Sequence, residues 1–176
     1  MELVVLVLRK IVPTKDHPEH DQDFCSRVAT MDPDADIVVV FGGTNDFGHG
    51  DAEFGELDSR DIYTFCGAAN TLLGNLTARY GKEKICVILP LHRVDEENVY
   101  GDGSKKKAGK LLKDYVSALK TIAEKYGLDT MEFDREFPFS KIAAGQGLTT
   151  DGLHPNSNGH KILAEKICEY IRSKIN

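Results

Sequence analysis

Apolar residues in this chain fall into two kinds of run. Three are short and nearly unbroken, Leu3–Leu8, Ile37–Phe41 and Lys84–Leu89, and Leu128–Phe133 is a fourth short stretch in which apolar and polar residues mix. Runs of this length, rich in Val and Ile, suit strands buried on both faces, as in a parallel sheet. Between them the apolar positions recur at helical spacing. Ile62, Phe65, Cys66, Ala69, Leu72, Leu73 and Leu76 form one such stripe, closed by Gly81; Leu111, Leu112, Tyr115, Val116, Leu119, Ile122 and Ala123 form another, closed by Gly127.

In chain order, Met1–Leu8 predicts a strand and Val12 to Gln22 a polar loop. Phe24, Val28 and Met31 predict a short helix over Asp23 to Met31, ended by Asp32-Pro33-Asp34. A strand follows over Asp36–Phe41, then a Gly-rich acidic loop over His49 to Glu56. The next helix takes Asp58 or Ser59 as its cap. After the strand at Lys84–Leu89, Leu91 to Lys107 reads as a long loop, and loops of that length often carry function. A helix from about Ala108 to Tyr126 leads to the strand at Leu128–Phe133 and an irregular stretch from Asp134 to Thr150. Asn156 or Ser157 caps the final helix, which carries Ile162, Leu163, Ile167, Cys168 and Ile171. Strands alternating with helices of a dozen or more residues predict an α/β fold, a parallel sheet with helices on both faces, in a single domain over 1–176.

Composition narrows the function classes. At 41% hydrophobic and 28% charged residues the chain has the makings of a core, and a net charge of −6 gives no footprint for nucleic acid. The one basic cluster, Lys105-Lys106-Lys107, reads as a solvated surface. Leu3–Leu8 is far short of the ~20 residues of a membrane helix. Glu2 before it and Arg9-Lys10 after it reverse the charge order of a signal peptide. Cys25, Cys66, Cys86 and Cys168 form no Cys-x-x-Cys pair and are expected to be reduced and buried, as in a cytoplasmic protein. No metal is expected, since His17-Pro18-Glu19-His20 is the only close pair of histidines and sits in a polar loop. Neither a dinucleotide fingerprint nor a P-loop occurs.

Two stretches carry chemistry. Ile37–Phe41 stops at Gly42-Gly43, which lets the backbone turn sharply and places Asn45 and Asp46 just beyond the carboxyl end of a strand, where parallel sheets keep their ligands. Near the other end, Asp151-Gly152-Leu153-His154-Pro155 puts an Asp three residues before a His, with Pro155 holding His154 extended. An Asp close to a His can fix one tautomer and leave the other ring nitrogen as a base; alone, the same spacing also suits a plain turn with an exposed histidine.

Together, Gly43-Thr44-Asn45-Asp46 and Asp151-Gly152-Leu153-His154 resemble the SGNH hydrolases, or GDSL esterases and lipases, from roughly Val12 to the end. The resemblance implies a three-layer α/β/α architecture with a flavodoxin-like parallel sheet. It implies His154 as the general base for a serine, Asp151 as its orienter and Asn45 as an oxyanion donor worth about 3–4 kcal/mol. Asp46 then supports the turn, while His49 reads as a surface loop histidine. The implied reaction is ester hydrolysis through an acyl-serine with no cofactor, on a small ester such as an acylated carbohydrate.

One family feature is missing. No Gly-Asp-Ser follows an apolar strand, and none of the seven serines (Ser26, Ser59, Ser104, Ser117, Ser140, Ser157 and Ser173) has a strand-to-helix setting. The expectation is therefore a family member lacking its first strand-helix unit. Leu3–Leu8 is expected either to pair beside Ile37–Phe41 or to leave an edge that a homodimer covers. A non-catalytic binding or assembly module is the alternative function.

Overall fold

In a computed structural model of the chain, the described residues are 23–49, 52–100, 109–133 and 147–175. The strand expected at Leu3–Leu8 and its pairing, the loop with His17 and His20, the Lys105–Lys107 cluster, Ser104 and Ser140 lie outside them. The chain divides into two compact units: Met1–Pro90 with Glu96–Glu132, and Leu91–Asp95 with Phe133–Asn176.

The first unit holds three parallel strands in the order β1-β2-β3: β1 Val38–Phe41, β2 Ile85–Ile88 and β3 Asp129–Met131. Val38 pairs with Ile85 and Phe41 with Ile88, and Cys86 pairs with Asp129. Successive parallel neighbours in chain order need crossovers of the same hand, which sends both connecting helices to one face. These are α3 (Phe65–Tyr80) and α4 (Leu112–Lys125). Leu72, Leu73 and Leu76 of α3 join Leu119 and Ile122 of α4 in one core with Val38, Val40, Ile85 and Val87. The α/β class with a parallel sheet is as the sequence predicts.

Four local expectations are corrected. β2 is buried throughout, but β1 alternates: Val39 and Phe41 are 38% and 40% exposed, because a period-2 strand aims Val38 and Val40 at α3 and α4 and turns its other residues away. α3 is capped by Thr64, whose hydroxyl accepts the Gly67 N–H, and not by Asp58 or Ser59. Ser59 and Asp61 instead accept the N–H groups of Asp61 and Tyr63, which ties Asp58–Tyr63 into turns and leaves Ile62 ahead of the helix. α4 starts at Leu112, after Gly109 in the left-handed region (φ +58°), with Asp114 accepting the Leu111 N–H. Cys168 is exposed and Cys25 half-buried, where burial was expected of all four cysteines. On the last helix Cys168 lies five residues beyond buried Leu163, about 140° around the axis. Burial pushes the Cys66 thiol up to about 11, with Glu56 adding to the shift.

The short N-terminal helix is α1 (Phe24–Arg27), continued by a 3₁₀ turn at Val28–Thr30 and capped by Asp23, which accepts from the Ser26 N–H and hydroxyl. The most demanding polar group in this unit is Asn70, fully buried in α3. Its amide donates to the carbonyls of Leu57 (2.7 Å) and Cys66 (2.9 Å), and its side-chain oxygen accepts from Lys125 Nζ (3.1 Å). Its own carbonyl accepts the Tyr126 hydroxyl. One side chain thus joins the turn before α3, α3 itself and the end of α4. Asn70→Leu strips the Leu57 carbonyl and the Lys125 ammonium of this partner. The expected cost is about 1–3 kcal/mol, seen as a lower urea midpoint at unchanged slope; an unmoved midpoint would contradict the role.

Candidate functional site

In the first unit, the segment that carries Asn45 is built by a turn. β1 ends at Phe41, and Gly43 takes φ +99° with its α-carbon facing Pro90, Phe65 and Leu119. A side chain there would be strained and would press on the Pro90 ring. The chain then enters α2 (Thr44–His49), a helix that the sequence reading did not predict, and the Phe47 N–H bonds the Gly43 carbonyl at 3.2 Å. Phe47 is almost fully buried and meets Tyr115 of α4 edge-on at 5.7 Å, within an aromatic cluster that includes Phe54 and Phe65. Asn45, half-buried, is therefore held in the first turn of a helix anchored by its neighbours two residues on. Asp46 beside it is buried, and His49 is the last residue of α2.

In the second unit, Asp151 and His154 lie in a closed loop. Thr149 and Pro155 form an antiparallel bridge: the Asn156 N–H donates to Leu148 and the Thr150 N–H to His154, both at 2.8 Å. Inside the bridge, Asp151 Oδ1 accepts the backbone N–H groups of Leu153 (2.9 Å) and His154 (2.7 Å). Its Oδ2 lies 2.7 Å from His154 Nδ1. Gly152 turns the chain at φ +85°, and its N–H bonds the Thr149 hydroxyl. Asn156 caps the final helix, α5 (Ser157–Ile175), by accepting the N–H groups of Asn158 and Gly159, while its amide donates to the Gly147 carbonyl. Gly159 has no room for a side chain, because a Cβ would run into the Leu148 carbonyl. The helix start is thereby locked to the loop.

The chemistry of the pair follows from the carboxylate. The His154 backbone N–H, then its ring, then the Leu153 N–H hold Asp151 down at about 2 from its ordinary 3.8. Ionised, Asp151 only accepts, so Nδ1 must carry the proton and a neutral His154 presents Nε2 as its acceptor. The His154 side chain is 60% exposed, open to a reacting hydroxyl.

Asp151 and His154 are thus brought together as their spacing predicts. Asn45 belongs to the first unit. Sequence reasoning missed Phe47 as the anchor of α2. It also missed Arg93, Val94 and Asp95, which accompany the Asp151–His154 loop in the second unit; the length of the loop that contains them was their only signal. Among the described residues no helix is long and apolar enough to cross a membrane.

The depressed Asp151 value has a pH signature. A group whose value falls on folding stabilises the fold above its unfolded value near 3.8, and that contribution fades as pH drops through about 2. A ¹³C titration of the Asp151 carboxylate is expected to have its midpoint at about 2. In His154→Ala it should rise yet stay below the ordinary value, because the two backbone bonds survive. An ordinary midpoint in the unsubstituted chain would contradict the geometry.

The chain resembles known proteins across most of its length. A family model described as the GDSL-like Lipase/Acylhydrolase family matches residues 13–162. No curated protein matches the chain. Among solved structures, a protein from Lactobacillus plantarum is 24% identical, with a TM-score of 0.71 over 96% of this chain and 77% of that one. A second solved structure is 25% identical, with a TM-score of 0.74 over 96% and 75%. A protein from Chitinophaga pinensis DSM 2588 described as a possible lipase is 20% identical, with a TM-score of 0.60 over 88% and 82%. The likenesses below 25% identity speak for the fold. The family match spans Asn45, Asp151 and His154, and the chain belongs to the GDSL-like lipase/acylhydrolase family.

Proposed function

We propose that this chain carries the proton-transfer and oxyanion-stabilising parts of an ester hydrolase that works through an acyl-serine. The observation that carries the reading is the Asp151–His154 bond of 2.7 Å, in a loop whose backbone also engages the carboxylate. In the proposed reaction His154 Nε2 takes the proton of a serine hydroxyl as it attacks the ester carbonyl. Asp151 keeps the proton on Nδ1 and stabilises the imidazolium. The side-chain amide of Asn45 donates to the tetrahedral oxyanion. His154 then returns its proton to the departing alcohol, and water activated by the same ring releases the acid. The substrate class is a small acetyl or short-acyl ester, with an acylated carbohydrate fitting that class.

The serine is the open part of the site. Ser26 bonds its own helix cap, Ser59 caps a local turn, Ser117 lies in α4, and Ser157 and Ser173 lie in α5. None of the five described serines follows a strand, so a fluorophosphonate probe is expected to leave these 176 residues without active-site labelling. If in-frame coding sequence upstream of Met1 supplies a Gly-Asp-Ser after an apolar run, the extended chain should take up one probe per molecule, lost in His154→Ala. An extended chain of that kind that does not label would refute the acyl-serine reading. His154-dependent labelling of the 176 residues alone would show that one of the seven serines is the nucleophile.

A further inference from the structure

Arg93 is 5% exposed, although it lies in an irregular segment, and a buried guanidinium demands a partner. It has one two residues on: Nε and Nη2 of Arg93 grip the two carboxylate oxygens of Asp95, the second contact at 2.8 Å. A bidentate fork between residues i and i+2 fixes the backbone between them as well as neutralising the charge. The residue between them is Val94, whose N–H donates to the Gly152 carbonyl at 3.0 Å. Val94 also lies flush against Gly152: a Cβ added there would sit 2.9 Å from Val94 Cβ and Cγ1. Gly152 is the residue between Asp151 and the two N–H groups that bind it. Leu91–Asp95 and Asp151–His154 belong to the same compact unit, 57 residues apart in sequence at Val94 and Asp151.

We propose that Arg93-Val94-Asp95 is a positioning strut that holds the turn at Gly152, and through it the register of Asp151 with His154. The proposal rests on the reading of His154 as a base. Arg93 and Asp95 act through Val94, and Val94 acts through the Gly152 carbonyl; none is assigned contact with substrate. A carboxylate that must meet two backbone N–H groups and an imidazole at once tolerates little drift of the turn between them. Asp151, Leu153 and His154 have exposed or half-buried side chains, so packing gives that turn little support of its own. The strut supplies the rigidity from a buried anchor.

The test reads the pair without ester turnover. In the 176-residue chain, the amides of Val94, Leu153 and His154 are expected to be protected from hydrogen exchange, and ¹⁵N ring shifts of His154 should report the proton on Nδ1. Asp95→Asn, which breaks the fork, and Val94→Pro, which removes the N–H and fixes φ on an exposed residue, should each speed exchange at Leu153 and His154 by about tenfold or more. Both should also mix the two ring tautomers, while Val94→Ala, which keeps the N–H, should do neither. If Asp95→Asn does not fold, Val94→Pro carries the test. Normal exchange at Leu153 and His154 with an unmixed tautomer in Val94→Pro would overturn the strut. Absence of ester hydrolysis in an extended chain, with the coupled loss intact, would leave the strut standing and remove the functional reading instead.

Discussion

One carboxylate organises the candidate site. Asp151 accepts two backbone N–H groups on one oxygen and faces the His154 ring with the other. Each bond to an exposed group is weak alone, because water competes for it. Their convergence makes the difference: the backbone bonds keep the carboxylate ionised and aimed, and an ionised carboxylate can only receive the proton of Nδ1. The tautomer that leaves Nε2 available thus follows from how the loop binds its own aspartate. The Thr149–Pro155 bridge and the Asn156 cap close that loop, and Gly159 lets the final helix sit directly on it.

The sheet unit solves a different problem, delivering Asn45 at the end of a strand. Gly43 adopts a backbone angle that L side chains avoid, so the chain leaves β1 and enters α2 within two residues. A helix of six residues has little stability of its own. Phe47, buried against Tyr115, supplies what the helix lacks and ties Asn45 to the core formed by α3, α4 and the sheet.

The elements that the sequence shows most clearly are those with long periodic patterns. The stripes of α3 and α4 and the apolar runs of β1 and β2 follow from burial against one another, and burial leaves a period in the sequence. Helix starts were less legible: Asp58, Ser59 and Thr64 are all good caps, and only the turns formed by Ser59 and Asp61 show why Thr64 is used. The half-exposed face of β1 was invisible because Val39 and Phe41 are as apolar as their buried neighbours. At the site, Asp151 and His154 were legible because three residues suffice to bring them together. The pairing of Val94 with Gly152 joins residues far apart in sequence, and neither is of a type that announces itself.

The account stands on the direction of one proton. A joint X-ray and neutron structure of the chain, from crystals grown at mildly alkaline pH, would locate it. The account predicts a proton on His154 Nδ1 directed at Asp151 Oδ2, with 2.7 Å between the heavy atoms and Nε2 bare. A proton on Nε2, or a ring turned away from Asp151, would contradict it.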